Sequence, residues 1–451
     1  SANDASCGVE FQSKKNGSVT GHVKEGLDVT ARGHRTDAIG SGEDREQDDV
    51  QGLYFEAGGG SKIDFTVENT KAPATAGEKV YALKNMVEGA SETGTYNMVL
   101  FSGFGDGEEK SDAHFAVKGD TLLKADADGE VGGIYGKTVN GAQSHLEFDR
   151  VDMEINGHGT DQPQPVKLVS DSGGRTRLDI HKGLTLKTDA ADFGRRAVIQ
   201  ATVDNGSGSS EVNLDGENRI EFSGGNLFSA SGEGAAIRVN GEGNAEQHLA
   251  GKVYAFKKAV VDINLDTAGS RAYLWTNTYR GTANEGTVNM AVKNGATWKA
   301  MGQRPGSVSV LDVADGGVVD LTEFAENYPD QYHLVPSLEI TELKGDGGIF
   351  RMETNIIKGQ GQYVHIHDKS SGNHLVDVVD KSGAPGVDPY KPVKLFGTEN
   401  GEADSSAYTA TFDILHPVEL GPYEYLMGNA DTVRESGLTQ DFTDTDSTSW
   451  Y

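Results

Sequence analysis

The sequence predicts an all-β protein that folds as a parallel β-helix, or β-solenoid, and three observations support this fold class. A short pattern of apolar, acidic or amide, and apolar residues recurs along the chain in strand-like surroundings. The 60 glycines far outnumber the 11 prolines, so Gly, Asn and Asp must form the turns between many short strands. No segment of ten or more residues shows a helical period, which excludes βαβ architectures.

Seven copies of this pattern give the predicted strands in chain order. Because side chains alternate between the two faces of a strand, the apolar residues of each copy share one face and the acid or amide points to the other. Each copy is therefore predicted to be a half-buried strand. The copies are KIDF from Lys62, HLEF from His145, RLDI from Arg177, EVNL from Glu211, VVDI from Val260, TVNM from Thr287 and VVDL from Val318.

A second strand is predicted close behind three of these copies, in residues 145–156, 177–188 and 211–223. A β-sandwich of this length would need linkers between several domains, and a propeller would need regular aromatic signatures. The sequence shows no Pro-rich or low-complexity linker before about residue 380, and the aromatic signatures of a propeller are missing. Stacked coils of roughly 20–25 residues would instead bury a continuous apolar interior in a rod on the order of 80–95 Å long.

The composition limits the partners of the chain. Its formal charge of −29 disfavours nucleic acid and anionic lipid. Cys7 is the only cysteine, which excludes an internal disulfide and a cysteine-based zinc site. The chain starts with SANDASCG and has no apolar run of about 18 residues, so we expect a mature or excised fragment that does not itself span a membrane.

The C-terminal third contains motifs in a particular order. A tryptophan, Trp298, lies in a Gly-rich stretch at 294–321, and Gly-rich corners precede strands at 343–356 and 361–385. A Gly followed by an aromatic-x-Tyr run ends the segment at 410–427, and Trp450 and Tyr451 end the chain. The individual matching positions are Trp298, Leu343, Gly345, Gly347 or Gly348, Phe350, Met352, Ser371, Gly372, His374, Leu375, Val376, Val378 and Trp450.

These motifs resemble the autochaperone-like C-terminal region in the passenger domains of pertactin-like and AIDA-type autotransporters. The resemblance implies a right-handed parallel β-helix that is secreted by the type V route and displayed at the bacterial surface from the outer membrane, or released. It implies a β-helix passenger with irregular loops at 1–295, an autochaperone-like C-terminal cap at 296–427, and the start of a linker to a membrane β-barrel at 428–451. The motif residues above are then structural.

Two strings resemble catalytic motifs. VSDSGGR at 169–175 contains the D-S-G-G string found around the nucleophile of chymotrypsin-like proteases, with Ser172 as the candidate. A Gly-rich corner between coils explains this string equally well. GDTLL at 119–123 is similar to an esterase block but has Thr121 where that block has serine. We therefore expect no catalytic residue.

Two further strings could hold cations. His365, His367 and Asp368 form an H-x-H-D string, and alternation places its two imidazoles together on the outward, solvated face of a strand. Asp126, Asp128 and Glu130 supply oxygen ligands, but the later ligand of an EF-hand is missing, so a solvated acidic turn is the preferred interpretation. We expect neither a metal nor another cofactor. The basic stretches at 14–24 and 253–260 are interpreted as solvated faces that could meet an anionic glycan.

We expect a cell-surface adhesin that binds a host glycan or an extracellular-matrix protein through many weak polar contacts along a rod-like β-helix. The first alternative is self-association between bacterial cells, as in aggregation and biofilm formation. The second is a polysaccharide-degrading β-helix enzyme, which rests on fold analogy alone. The ligand-binding residues are not identified by the sequence.

Overall fold

The computed structural model describes most of the chain, and its residues divide into two compact units. The described residues are 6–32, 50–71, 75, 78–89, 95–103, 110–127, 129–158, 163–188, 196–302, 304–327, 333–382, 392–398, 405–420, 423–437, 442, 444 and 447–451. Unit 1 comprises residues 1–242 and 250–261, and unit 2 comprises residues 243–249 and 262–451.

Unit 1 is built from short strands that alternate with tight turns. Seventeen strands are β1 (Ser6–Ser13), β2 (Ser18–Val23), β3 (Leu27–Arg32), β4 (Val50–Ala57), β5 (Lys62–Glu68), β6 (Tyr81–Gly89), β7 (Thr95–Ser102), β8 (Asp112–Ala127), β9 (Val131–Thr138), β10 (Gln143–Gly157), β11 (Gln164–Ser170), β12 (Arg175–Ile180), β13 (Leu184–Lys187), β14 (Ala197–Val203), β15 (Ser209–Leu214), β16 (Asn218–Ser231) and β17 (Ala235–Val239). Two more strands, β18 (Gln247–Phe256) and β19 (Val260–Leu265), follow in the chain.

The remaining strands and two six-residue helices belong to unit 2. They are β20 (Arg271–Asn277), β21 (Thr287–Val292), β22 (Thr297–Ala300), β23 (Gly306–Val313), β24 (Val318–Asp320), α1 (Thr322–Asn327), β25 (Leu338–Lys344), β26 (Gly348–Asn355), β27 (Gln360–Gly361), β28 (Val364–Ser370), β29 (Asn373–Asp380), β30 (Phe396–Thr398), β31 (Thr411–Ile414), β32 (Val418–Leu420), β33 (Tyr423–Tyr425) and α2 (Ala430–Glu435). Among the described residues, no helix has the length and apolar character needed to cross a membrane.

The strands of unit 1 form three parallel sheets, because each strand pairs with the equivalent strand of the next coil. The first sheet contains β1, β4, β7, β9, β11, β14 and the end of β16. The second contains β2, β5, the first half of β8, the first half of β10, β12, β15 and β17. The third contains β3, β6, the second halves of β8 and β10, β13 and the start of β16. This is the predicted right-handed parallel β-helix.

Unit 2 repeats this architecture with two long parallel sheets. One contains β20, β22, β24, β26, β29 and β31. The other contains β21, β23, β25, β28 and β30. Most ladders are parallel, and the described antiparallel pairs are short, as in β32 with β33.

Aligned apolar side chains form the interior of each coil stack. In unit 1, Phe55, Phe115 and Phe148 are fully buried, with ring centroids 4.9 and 6.1 Å apart in succession. Toward the later coils the stack continues through Leu146, Leu178, Val212 and Ile237, which occupy one register position. Burying apolar rows against the next coil supplies the stabilisation that a single coil lacks.

All seven predicted copies coincide with strands, except that Leu321, the last residue of VVDL, directly follows β24. The two apolar residues that flank the acid or amide of each copy are buried. One second-strand prediction was wrong in detail, because residues 145–156 lie within the single strand β10. The expected corner is instead a register irregularity between Phe148 and Arg150, where β10 passes from the second sheet to the third. The other two predicted pairs are separate strands, β12 with β13 and β15 with β16.

Candidate functional site

A groove of about 680 Å³ lies on the outer face of the second sheet in unit 1. The side chains that line it come from five neighbouring parallel strands, β5, β8, β10, β12 and β15. Because these strands are in register, residues of successive coils form straight rows spaced by the interstrand distance of about 4.8 Å. The first row contains Lys62, Asp112, Gln143, Arg175 and Ser209, and the central row contains Asp64, His114, His145, Arg177 and Glu211.

The alternation of the repeat creates these rows. In HLEF, Leu146 and Phe148 are fully buried, so His145 and Glu147 project from the outer face. In β8, the neighbouring strand of the same sheet, Ala113 and Phe115 are buried, so His114 points outward in the same way. The sequence pattern that stabilises the interior therefore also aligns polar side chains on the surface.

Histidines and carboxylates form a connected cluster across the central row. His114 Nδ1 lies 3.2 Å from Asp64 Oδ1, and its Nε2 lies 3.6 Å from Glu147 Oε2. His145 Nε2 lies 2.6 Å from Asp179 Oδ2, and the rings of His114 and His145 are 5.2 Å apart. One ligand atom from each of His114, His145 and Glu147 lies within 4.8 Å of the other two. These three residues could hold a metal ion.

Asp179 is the buried anion beneath this cluster. It lies on the outward face of β12, yet it is only 5% exposed because neighbouring side chains cover it. Its carboxylate accepts hydrogen bonds from Arg177 Nε and Asn213 Nδ2, each at 2.7 Å. Burial alone would raise the pKa of Asp179, but the hydrogen bonds from His145, Arg177 and Asn213 hold that pKa well below its usual range.

The first row supplies exposed hydrogen-bond donors. Lys62, Gln143 and Arg175 are exposed, and Ser209 lies beside them. Within the described ranges, neither Lys62 nor Arg175 forms an ion pair, whereas Arg177 is bonded to Asp179. Guanidinium and ammonium groups beside an amide and a hydroxyl can bind carboxylate, sulfate or hydroxyl groups of a ligand.

The motif residues singled out in the C-terminal region lie in unit 2. Trp298 is 1% exposed, and its Nε1 donates to the Leu274 carbonyl at 3.1 Å. His374 is buried between the rings of Phe350 and Phe412, with centroid distances of 5.8 and 5.7 Å. Leu343 and Met352 are also fully buried.

Two glycines of these motifs lie at stacked corners of unit 2. Gly345 and Gly372 have φ of 109° and 95°, which favour glycine. A Cβ on Gly372 would lie 1.6 Å from the Gly345 carbonyl oxygen, and one on Gly345 would lie 2.2 Å from the Val313 carbonyl oxygen. The corner glycines therefore allow close approach of successive coils.

The last motif residue, Trp450, is attached through its backbone. Its N–H donates to the Phe396 carbonyl at 3.0 Å, and its carbonyl accepts from Leu395 at 2.9 Å. Its ring contacts Phe412 edge-on at 5.6 Å. The boundaries at 295 and 427 drawn from the sequence stay predictions.

The candidate catalytic strings lie in structural positions. Ser172 occupies an exposed turn with φ of 50°, and its hydroxyl donates to Asp171 at 3.1 Å. Thr121 is fully buried inside β8. Ser172 and Thr121 are therefore structural parts of the coils, and neither residue lines the groove.

The interpretation of the H-x-H-D string was wrong for His367. This residue is 5% exposed, whereas Asp368 is exposed and His365 is partly exposed. The register of β25 against β28 shifts between Ile340 and Glu342, so Ile366 and His367 are both buried in succession. This irregularity interrupts the alternation on which the prediction depended.

The acidic turn and the basic stretches form surface ion pairs. Asp126 lies 2.9 Å from His158 Nε2, and Glu130 lies 3.2 Å from Arg196 Nη1, whereas Asp128 is outside the described residues. In the basic stretches, Lys14 pairs with Glu56 at 3.5 Å and Lys258 with Glu233 at 2.9 Å. Such exposed pairs contribute little to stability.

Sequence reasoning missed the cluster of His114, His145 and Glu147. The first two residues are 31 positions apart, and the sequence does not show directly that they occupy one register position. The available signal was the shared setting of both histidines, each of which directly precedes a buried apolar residue in a strand. Aligning DAHF at 112–115 with QSHL at 143–146 would have brought the two together.

Two comparisons with known proteins found similarity, and each covers only a part of the chain. Residues 308–436, which lie in unit 2, match the family model described as Pertactin. The chain is also similar to "Autotransporter CRAC" of Citrobacter rodentium, with 28% identity over 149 residues. That match covers 33% of this chain and only 9% of the relative.

Proposed function

Because the chain is a passenger domain of a type V autotransporter with a pertactin-like region at residues 308–436, we propose that it is a bacterial surface adhesin whose unit 1 groove binds an anionic host glycan. The proposal includes display from the outer membrane. It is for a binding protein and not for an enzyme.

The observation that carries this proposal is the first row of the groove. Lys62 and Arg175 present exposed cations, with Gln143 and Ser209 in the same row, and the exposed carboxylate of Asp112 lies between Lys62 and Gln143. Donors repeated at the interstrand spacing can contact successive charged or hydroxyl groups of an extended chain. Several weak contacts of this kind add up when they are made to one linear ligand.

The charge distribution favours a glycan over a second copy of the chain. Two copies with formal charges of −29 repel each other. Self-association therefore requires screening by salt or a part of the surface that is an exception to the net negative charge. The lining of the groove is such an exception, because it has as many cations as carboxylates. The cations are Lys62, Arg175 and Arg177, and the carboxylates are Asp64, Asp112 and Glu211. An anionic ligand that reaches the groove meets Lys62 and Arg175 directly, whereas Arg177 is bonded to Asp179.

The proposal is tested by screening the 451-residue chain against an array of glycans and matrix proteins at two salt concentrations. We expect saturable binding to carboxylated or sulfated glycans that weakens at the higher salt concentration. The double variant Lys62→Gln/Arg175→Gln should lose at least about tenfold in affinity, since two charged contacts are removed. Lys118→Gln/Lys187→Gln is the matched control, because it removes two exposed charges of unit 1 outside the groove lining.

Three outcomes would count against this function. A blank array would contradict it and favour self-association, which analytical ultracentrifugation of the same sample would detect. Equal loss of binding in both double variants would show that net charge, and not the groove, determines affinity. Release of new reducing ends from a bound glycan would favour the enzyme alternative.

A further inference from the structure

We propose that His114, His145 and Glu147 form a binding site for a divalent transition-metal ion of the zinc class. His114 and His145 occupy the same register position on the neighbouring strands β8 and β10, and Glu147 follows on the same face two residues later. One ligand atom from each residue already lies within 4.8 Å of the other two. This site does not depend on the proposed glycan function.

Each histidine is oriented by a carboxylate at its second ring nitrogen. Asp64 Oδ1 lies 3.2 Å from His114 Nδ1, so the Nε2 of His114 faces Glu147 Oε2. Asp179 Oδ2 lies 2.6 Å from His145 Nε2, which leaves Nδ1 as the ligand atom of His145. Metal-bound histidines usually donate their other N–H to a carboxylate or carbonyl in this way.

The supporting groups are themselves held in place. Asp179 is fixed by Arg177 and Asn213 at 2.7 Å each. Glu147 Oε1 lies 3.1 Å from His181 Nε2, so its Oε2 points toward His114. Carboxylate groups that fix the orientation of the ligands reduce the rearrangement needed when an ion binds.

The donor set determines the class of ion. Two imidazole nitrogens and one carboxylate oxygen suit zinc and related transition ions better than calcium or magnesium, which prefer oxygen ligands. In a tetrahedral zinc site the ligand atoms lie about 3.3 Å apart, so side-chain rotation must shorten the separations by at most about 1.5 Å. His114 Nε2 and Glu147 Oε2 are already 3.6 Å apart. The side chains of His114, His145 and Glu147 are 35%, 38% and 41% exposed, so an ion can reach them from the groove and keep a fourth ligand from solvent.

A network of surface ion pairs is the competing interpretation of the same geometry. His114 lies between the carboxylates of Asp64 and Glu147, which is also the arrangement of an ordinary surface ion-pair network. An ion-pair network binds no zinc with fixed stoichiometry. The two interpretations therefore differ in a direct titration.

The experiment is calorimetric titration of ZnCl₂ into the EDTA-treated 451-residue chain at pH 7.5, without glycan. We expect one saturable site per chain, with affinity reduced at least about 100-fold in His145→Gln and in Glu147→Gln. Asp64→Asn, which changes a 65% exposed side chain beside the site, should weaken binding about tenfold. His158→Gln is the matched control, because His158 is an exposed histidine that pairs with Asp126 and does not line the groove.

Cobalt gives a second readout, because tetrahedral Co²⁺ absorbs strongly in the visible range and a hydrated ion does not. We expect this absorption in the original chain and in His158→Gln but not in His145→Gln, with unchanged far-ultraviolet circular dichroism in all three. No saturable zinc binding by the original chain would overturn the site. Equal affinity in His145→Gln and the original chain would assign the zinc to other residues and would also overturn the proposed site. If His145→Gln does not fold, the zinc affinity of Asp64→Asn decides the question.

Discussion

At the scale of single residues, Asp179 shows how a surface row can contain a buried charge. Its hydrogen bonds to His145, Arg177 and Asn213 hold the pKa of its carboxyl well below the usual range. A carboxyl whose pKa is lowered in the folded state contributes its full stability at pH values above its ordinary pKa of about 4. That contribution is lost as the pH falls below this value.

Asp179→Asn should therefore destabilise unit 1 by about 2 kcal/mol at pH 7, because charged hydrogen bonds are replaced by weaker ones. The loss should shrink below about pH 4, where the original carboxyl begins to lose its charge. Native-state hydrogen exchange of the amides in β12 and β15 measures this effect. Asp64→Asn, at a 65% exposed carboxylate, is the control and should change these amides far less.

His374 gives the second pH prediction, in unit 2. Burial lowers the pKa of His374 below its ordinary value of about 6.5, so folding favours the neutral ring. Stability is then complete above about pH 6.5 and falls as the pH decreases below that value. Unfolding by urea should occur at a lower concentration at pH 5.0 than at pH 7.5, and His374→Gln should reduce this difference, whereas His416→Gln, at an exposed residue, should not.

Tryptophan fluorescence is a suitable probe for this measurement. All three tryptophans, Trp275, Trp298 and Trp450, lie in unit 2. The signal therefore reports on unit 2 alone. A pH dependence that is equal in His374→Gln and the original chain would contradict the assignment to His374.

At the scale of elements, the corners of unit 2 depend on glycine. Gly372→Ala should destabilise unit 2 by about 2–4 kcal/mol, because a Cβ at φ 95° would lie 1.6 Å from the Gly345 carbonyl oxygen. Gly316→Ala is the matched control, since Gly316 has φ of 74° but no atom within 4 Å of its added Cβ. Its cost should be only about 1 kcal/mol. Urea unfolding followed by tryptophan fluorescence measures both, and equal losses would show that backbone strain alone explains the effect.

The strands of the repeat were predictable because burial and alternation are local properties of the sequence. EVNL at β15 and TVNM at β21 have the predicted alternation of partly exposed and buried residues. His367 was not predictable, since the irregularity in β28 arises from pairing with β25. Asp179 was expected on a solvated face, and its burial depends on side chains from two neighbouring coils.

The site was less predictable than the fold for the same reason. The row of Asp64, His114 and His145 requires the register of three strands that the connecting turns place at unequal spacings. The Gly and Trp motifs of residues 296–427 were recognisable in the sequence. Their residues lie in the interior and at the corners of unit 2, so they do not identify a ligand site. Function was therefore predicted only as a class.

At the scale of the whole molecule, the C-terminal segment is predicted to support the folding of the rest. An end of a coil stack exposes unpaired strand edges, which favour aggregation unless another segment covers them. Deletion of residues 296–427 should therefore leave the remainder aggregated or sensitive to protease. Size-exclusion chromatography and limited proteolysis of a 1–295 fragment test this, and a monomeric, cooperatively unfolding and resistant fragment would contradict it.

The most direct test of the central claim is a hydrogen-exchange footprint of an anionic glycan on the 451-residue chain, with a heparin oligosaccharide as the probe. If the groove of unit 1 is the binding site, exchange should slow at residues 62–64, 112–114, 143–147 and 175–179. The same peptides should be unaffected in Lys62→Gln/Arg175→Gln. Protection confined to unit 2, or no protection at a saturating concentration of the oligosaccharide, would contradict the account.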